Sequence, residues 1–242
     1  MAKFCTKCGK PLENGKECTC SENTKVTVES NGTLIQECIE IVKSYLKQPI
    51  DTLEQNVDEE KTNNAFVMIA LNAIAVGLFV IVLIKEVFGE LIGVMGSIMG
   101  GNSYTSLMGL GSNYEIEIPY VKYFFIAVIF GVIATLAMAV IAYLISDKLL
   151  GGNTSFKKMI TLFGFSSIIS TASLLVATVC LFIDVRLALI IYMAGSSLNT
   201  YYNYKGLEFA CDTDKNQLGY VLMPAVLITT IVISYIIPKI MF

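Results

Sequence analysis

The chain has 242 residues, 55% of them hydrophobic and 15% charged, and its mean hydropathy of +0.66 excludes a water-soluble enzyme. It contains no histidine, so the commonest general base, the imidazole metal ligand and the histidine of a Ser or Cys triad are all missing. A net charge of -3, with no basic cluster outside the N-terminal region, argues against a nucleic-acid partner and leaves a non-enzymatic integral membrane protein as the expected class.

Residues 1–64 carry 8 of the 17 Lys+Arg and 11 of the 20 Asp+Glu, while the rest of the chain is mostly apolar runs. The chain therefore reads as a soluble head on a membrane body. No apolar stretch of secretory length precedes the first cysteines, so the head is expected in the cytosol. The head opens with FCTKCGKPLENGKECTC, in which Cys5 and Cys8 form a Cys-x-x-Cys knuckle followed by Gly9, and Cys18 and Cys20 form a second pair. Four thiolates at this spacing can close one tetrahedral, structural Zn2+ site, a zinc ribbon over residues 1–20, although Cys18-Thr19-Cys20 is one residue shorter than the usual second pair. Gly9 permits the tight turn of the knuckle, and Lys3, Lys7, Lys10 and Lys16 offset the negative charge of a four-thiolate centre. So short a segment cannot bury a core, and metal binding would supply its folding free energy. A redox pair or disulfides are the alternative, and disulfides would need the oxidising side of the membrane. With four cysteine ligands no coordination position stays open, so such a site is structural or a docking surface and not catalytic.

Residues 21–32 form a polar linker. The segment 33–64 follows, cytosolic or interfacial and helical. Thr33 and Gln36 make a capping-box pattern ahead of Leu34, Ile35, Cys38, Ile39, Val42, Tyr45 and Leu46, whose spacing builds one apolar face opposite Glu37, Glu40, Lys43 and Lys47. Pro49 is expected to end that helix. Its apolar face has two candidate homes, the bilayer interface or the protein's own cytosolic loops. Cys38 falls on that face and reads as packing, not as a zinc ligand.

The membrane body, residues 65–242, is expected to contain five spans, at about 65–84, 123–145, 159–183, 187–202 and 218–237. The fourth is shorter and more polar than the others, and the alternative is one long or re-entrant segment over 159–202, turned only by Asp184, Val185 and Arg186. Five spans with the head inside put 13 Lys+Arg on the inner side and 4 on the outer, namely Lys85, Lys122, Arg186 and Lys239. This predicts a multi-pass cell-membrane protein with a cytoplasmic N-terminus and its C-terminus outside. The glycine-rich stretch 88–113 then lies outside, as a flexible or interfacial loop or, alternatively, a re-entrant hairpin. The third span is rich in hydroxyls: Thr161, Ser166, Ser167, Ser170, Thr171, Ser173 and Thr178. Such residues let helices approach closely and hydrogen-bond across the contact, within one chain or in a homo-oligomer; a polar solute path is the alternative. Asp147 and Asp184 both sit at span ends, which suits neither an ion-coupled transporter nor an aspartyl intramembrane protease, and Arg186 is the expected surface partner of Asp184.

The segment LLGGNTSFKKMITLFGFSSIIS, Leu149 to Ser170, resembles the signature of the Yip family of polytopic membrane proteins, in which a Gly-Gly-x-x-Ser-Phe-Lys turn leads into a small-residue-rich central span. The five-span count, the cytosolic N-terminal region and the Gly219-Tyr220 pair at the start of the last span are similar too, over about residues 35–242. Phe165 stands where a tyrosine is common and Ile168 or Ile169 where a proline often follows the serines, and the Asp-Leu-Tyr-Gly-Pro motif of the eukaryotic members is absent. The eukaryotic role of binding prenylated Rab-type GTPases is therefore not carried over. A zinc ribbon fused to such a body looks like a prokaryotic arrangement, and the resemblance implies no enzymatic activity. The expected whole is an all-α membrane protein, a five-helix transmembrane bundle with a small N-terminal zinc ribbon. Its expected function is a scaffold or adaptor that docks a cytosolic or membrane protein through the ribbon. The alternatives are a permease or transport-associated subunit and, further off, a zinc or redox sensor.

Overall fold

A computed structural model describes residues 3–4, 11–12, 34–98 and 119–241. The chain divides into two compact units, Met1–Glu37 and Cys38–Phe242. In the first, β1 (Lys3–Phe4) pairs antiparallel with β2 (Pro11–Leu12), with Lys3 opposite Leu12 and Phe4 opposite Pro11.

The rest is helical. Helix α1 spans Leu34–Lys47 and α2 Pro49–Asn56. Gln48 lies between them outside the helical region, because a residue before proline is pushed away from the α conformation, and Pro49 then opens α2, where its missing N–H costs nothing. Thr33, the expected cap of α1, lies outside the described residues. A short 3-10 turn, Glu59–Lys61, is capped by the Asp58 carboxylate and leads into α3, Thr62–Ile98. Helix α4 covers Tyr120–Tyr143 and runs on as a π segment, Leu144–Leu149. Then come α5 (Phe156–Leu181), α6 (Val185–Ala210), a 3-10 turn at Lys215–Gln217, and α7 (Leu218–Met241).

Close approaches fix the helix directions. Gly164 of α5 lies against Ala65 of α3, and Thr171 of α5 bonds Asn72 of α3, so these two helices run parallel. Gly131 of α4 meets Ala73 of α3, while Gly77 of α3 meets Phe124 and Val128 of α4, so α4 returns antiparallel. Leu162 with Gly206, Ser166 with Asn203 and Ser173 with Gly195 likewise set α6 antiparallel to α5. Residues of the starts of α3, α5 and α7 and of the ends of α4 and α6 join α1 and α2 in one core that includes Tyr45, Leu53, Ala65, Leu162, Leu207 and Leu218.

Among the described residues three helical stretches are long and apolar enough to cross a membrane: Glu59–Val87, Tyr120–Leu149 and Phe156–Leu181. They contain the first two expected spans and all of the third but its last two residues, Phe182 and Ile183. The fourth and fifth expected spans fall on α6 and α7. The turn between α5 and α6 falls on Phe182, Ile183 and Asp184, two residues earlier than expected, because the Asp184 carboxylate caps α6 and Val185 and Arg186 form its first turn. Residues 159–202 thus hold two antiparallel helices and not one continuous helix.

Two expectations need correction. The stretch 88–113 is not a loop throughout, because α3 continues unbroken to Ile98; the glycines at 89, 93 and 96 fall at helical spacing in an apolar run, and no proline interrupts it. The part from 99 to 113 lies outside the described residues. Asp184 takes the backbone, not the Arg186 guanidinium, as its partner: its carboxylate accepts from the N–H groups of Arg186 and Leu187 at 2.6 and 3.2 Å. As an N-cap it satisfies donors that the first turn of α6 would otherwise leave open.

Candidate functional site

The four expected zinc ligands, Cys5, Cys8, Cys18 and Cys20, lie outside the described residues, as does the linker. What is described beside them is the β1–β2 pairing, which closes the chain on either side of residues 5–10. Among the described residues no group of three or more Cys, Asp or Glu side chains could hold a metal ion. Cys38 is buried in the core of the second unit, in keeping with its reading as a packing residue.

The Gly-Gly turn of the family signature builds the junction between α4, α5 and α6. Gly151 adopts φ +67°, which a side chain would strain. Gly152 follows in a space with no room for one: a Cβ would lie 2.1 Å from Thr213 Oγ1 and 2.8 Å from Ser146 Oγ. The backbone of Gly152 donates to Ser146 O at 2.8 Å and accepts from the Asp212 N–H at 2.9 Å. Thr154 Oγ1 donates to Ala210 O at 2.7 Å, and Ser155 caps α5 by accepting from the Lys158 N–H at 3.2 Å. Ser146 Oγ donates to Cys211 Sγ at 3.1 Å inside this knot. Burial pushes the Cys211 thiol up, which holds it in its protonated, unreactive form. On the adjoining surface Glu208 is held by Lys205 at 3.1 Å and by Lys215 at 3.9 Å.

The hydroxyls of α5 divide into two sets. Ser166 donates to Asn203 Oδ1 of α6, while Thr161 Oγ1 is shared between Lys157 O of its own helix at 2.6 Å and Asp58 O at 3.1 Å, and Thr171 Oγ1 between Ser167 O at 2.9 Å and Asn72 Oδ1 of α3 at 3.2 Å, so each of the three also reaches another element. Ser167, Ser173 and Thr178 donate to carbonyls of their own helix. Small side chains also permit the close contacts of Gly164 with Ala65 and Gly195 with Ser173. The first set reaches between elements of one chain, and the second bonds only within α5. Sequence reasoning missed their partners, Asn203, the Asp58 carbonyl and the role of Asn72. A single polar side chain in an otherwise apolar run, as Asn72 is between Ala65 and Ile84, was the available signal.

This arrangement can join helices rigidly. Asp147 pairs with its neighbour Lys148 at 2.8 Å. No curated protein and no solved structure matches the chain. The family model of the Yip1 domain matches residues 44–236, from within α1 to near the end of α7. With a match that takes in the membrane body as far as residue 236, the Gly-Gly turn included, the chain belongs to the Yip1 family and is a multi-pass membrane protein.

Proposed function

We propose that this is a non-enzymatic membrane scaffold or adaptor, a five-span Yip1 bundle that displays a cytosolic zinc ribbon to a protein partner. The observation that carries the proposal is the division of the chain. The family match begins at residue 44 and leaves the four-cysteine head outside it, so the head adds something the shared bundle does not supply. The cysteine spacing and the β1–β2 pairing around residues 5–10 support one structural Zn2+ held by Cys5, Cys8, Cys18 and Cys20, since a Cys-x-x-Cys knuckle is carried on such a hairpin. Five spans are supported by the alternating directions of α3 to α6 and by the length of α6, 26 residues or about 39 Å at ~1.5 Å per residue. The positive-inside split then places the ribbon in the cytoplasm of a cell-membrane protein and the C-terminus outside. A transport role draws less support, because the α5 hydroxyls bond to neighbouring helices and to their own backbone.

The test is a crosslinked pull-down from native membranes, comparing wild type with a Cys5→Ser, Cys8→Ser double variant and assaying bound zinc in both. Joint loss of zinc and of a defined partner set, with the body still inserted, is the expected result. Partners that persist without zinc would move the function to the bundle and refute the docking role of the ribbon.

A further inference from the structure

Helix α1 carries two apolar stripes, and only one is used by the protein. Cys38, Ile41 and Tyr45 turn into the core, with Tyr45 fully buried and its ring 5.9 Å from that of Tyr202 on α6. The second stripe, Ile35, Ile39 and Leu46, lies along the adjoining side of the helix, with Val42 at its inner edge packed partly against the core. Ile35 is 67% exposed, Ile39 48% and Leu46 63%. Lys43 borders this stripe, and Glu40 and Lys47 lie on the side away from it. Two neighbouring stripes of this kind suit a helix lying at a corner between two apolar surroundings, one of them the bundle.

The depth of α1 along the bundle identifies the other. Its contact, Tyr202, lies eight residues before the end of α6, so α1 packs about 12 Å in from that end, beside the helices and not beneath them. From the Asp184 cap to Tyr202 is 18 residues, about 27 Å, close to the ~30 Å of a hydrocarbon core. Tyr201, packed edge-on against Tyr202, is half-exposed, and Tyr220 is exposed near the start of α7. Tyrosines gather where a bilayer core meets its headgroups. We infer that α1 lies in the plane of the bilayer boundary on the side of the head, its outer stripe against lipid acyl chains and Lys43 among the headgroups. The inference does not depend on the ribbon or on its partner.

The chain contains no tryptophan, so a single introduced one reports its own surroundings. Full-length variants Ile39→Trp, Leu46→Trp and, on the polar side, Glu40→Trp would be reconstituted in phosphatidylcholine–phosphatidylglycerol vesicles with and without brominated acyl chains. Only variants that keep the wild-type melting profile would be read. Both stripe positions should lose emission by about twofold or more in brominated vesicles, as expected for a face sunk about 5–10 Å into the boundary. They should also resist aqueous acrylamide, whereas the tryptophan at 40 should be quenched by acrylamide. Insensitivity of both stripe positions to brominated lipid would overturn the inference. Acrylamide would then tell whether the stripe faces water or is covered by protein, either the chain's own residues 1–33 or a second copy.

Discussion

Helices α4 and α5 touch along one bundle, yet 61% of the most apolar stretch of α5 is buried against 6% of that of α4. The more apolar helix is the exposed one. Phe125, Ile129, Ile133 and Val140 of α4 point outward, while α5 places Ser166, Ser167, Thr161 and Gly164 in the interior. In water the order would be reversed. In a bilayer apolar side chains gain little by leaving lipid for protein, so association falls to close packing of small residues and to hydrogen bonds. The contrast shows that α5, most enclosed over Met159–Ile168, is the helix whose small and polar residues have their surroundings fixed by neighbours.

The largest effect should come from filling the glycine that lies closest to the backbone of another helix. A Cβ at Gly164 would lie 2.7 Å from Ala65 Cβ and 2.8 Å from Ala65 O, and the backbone of α3 cannot step aside. Gly164→Leu should cost about 3 kcal/mol or more, whereas Ile133→Ala, at an exposed position of α4, should stay within about 0.5 kcal/mol. Thermal unfolding in detergent compares the two, and equal costs would break the contrast. Next, Gly152→Val should cost about 2 kcal/mol because its Cβ meets Ser146 and Thr213. Gly151→Ala meets no atom within 4 Å and should lose about 1 kcal/mol through its positive φ alone.

Smaller effects sharpen the same comparison along α5. Ser166→Ala removes the donor to a buried Asn203 and should cost about 1 kcal/mol, while Thr178→Ala, whose hydroxyl bonds only Leu174 O of its own helix, should be nearly neutral. The smallest change concerns Tyr45, whose buried hydroxyl finds no hydrogen-bond partner among the described residues. Tyr45→Phe should be neutral or stabilising by up to about 1 kcal/mol. Burial, and Tyr202 beside it, hold the Tyr45 phenol well above its ordinary value. The phenol therefore ionises first in the unfolded chain, and its contribution is complete below about pH 10 and lost as pH rises further. Unfolding at pH 8 and at pH 10.5 should show a larger alkaline loss for wild type than for Tyr45→Phe.

Much of the body was legible because each expected span is an apolar run bounded by a charge or a polar turn, as at Lys122 and Asp184. The Gly-Gly turn was legible because one of its glycines needs positive φ and the other has no space for a side chain. The far end of α3 was not, since glycine at helical spacing reads equally as a loop when hydrogen bonds cannot be seen. Nor was the division of the apolar face of α1 into two stripes, because periodicity gives the width of a face but not what covers each part of it. Asn203 was missed because its importance comes from Ser166 on another helix, a pairing that no local pattern encodes.

The central claim is that α5, α6 and α7 each cross the bilayer, leaving the head and the C-terminus on opposite sides. Membrane-impermeant maleimide on intact cells, read peptide by peptide by mass spectrometry, tests it with Arg186→Cys and Asn216→Cys in full-length protein bearing a C-terminal epitope. Both positions are exposed in the structure, Arg186 at the start of α6 and Asn216 in the 3-10 turn between α6 and α7. The account predicts labelling at 186 and antibody access to the epitope from outside, with position 216 labelled only after permeabilisation. Labelling of 186 and 216 from the same side, or an epitope that shares the side of 216, would contradict it.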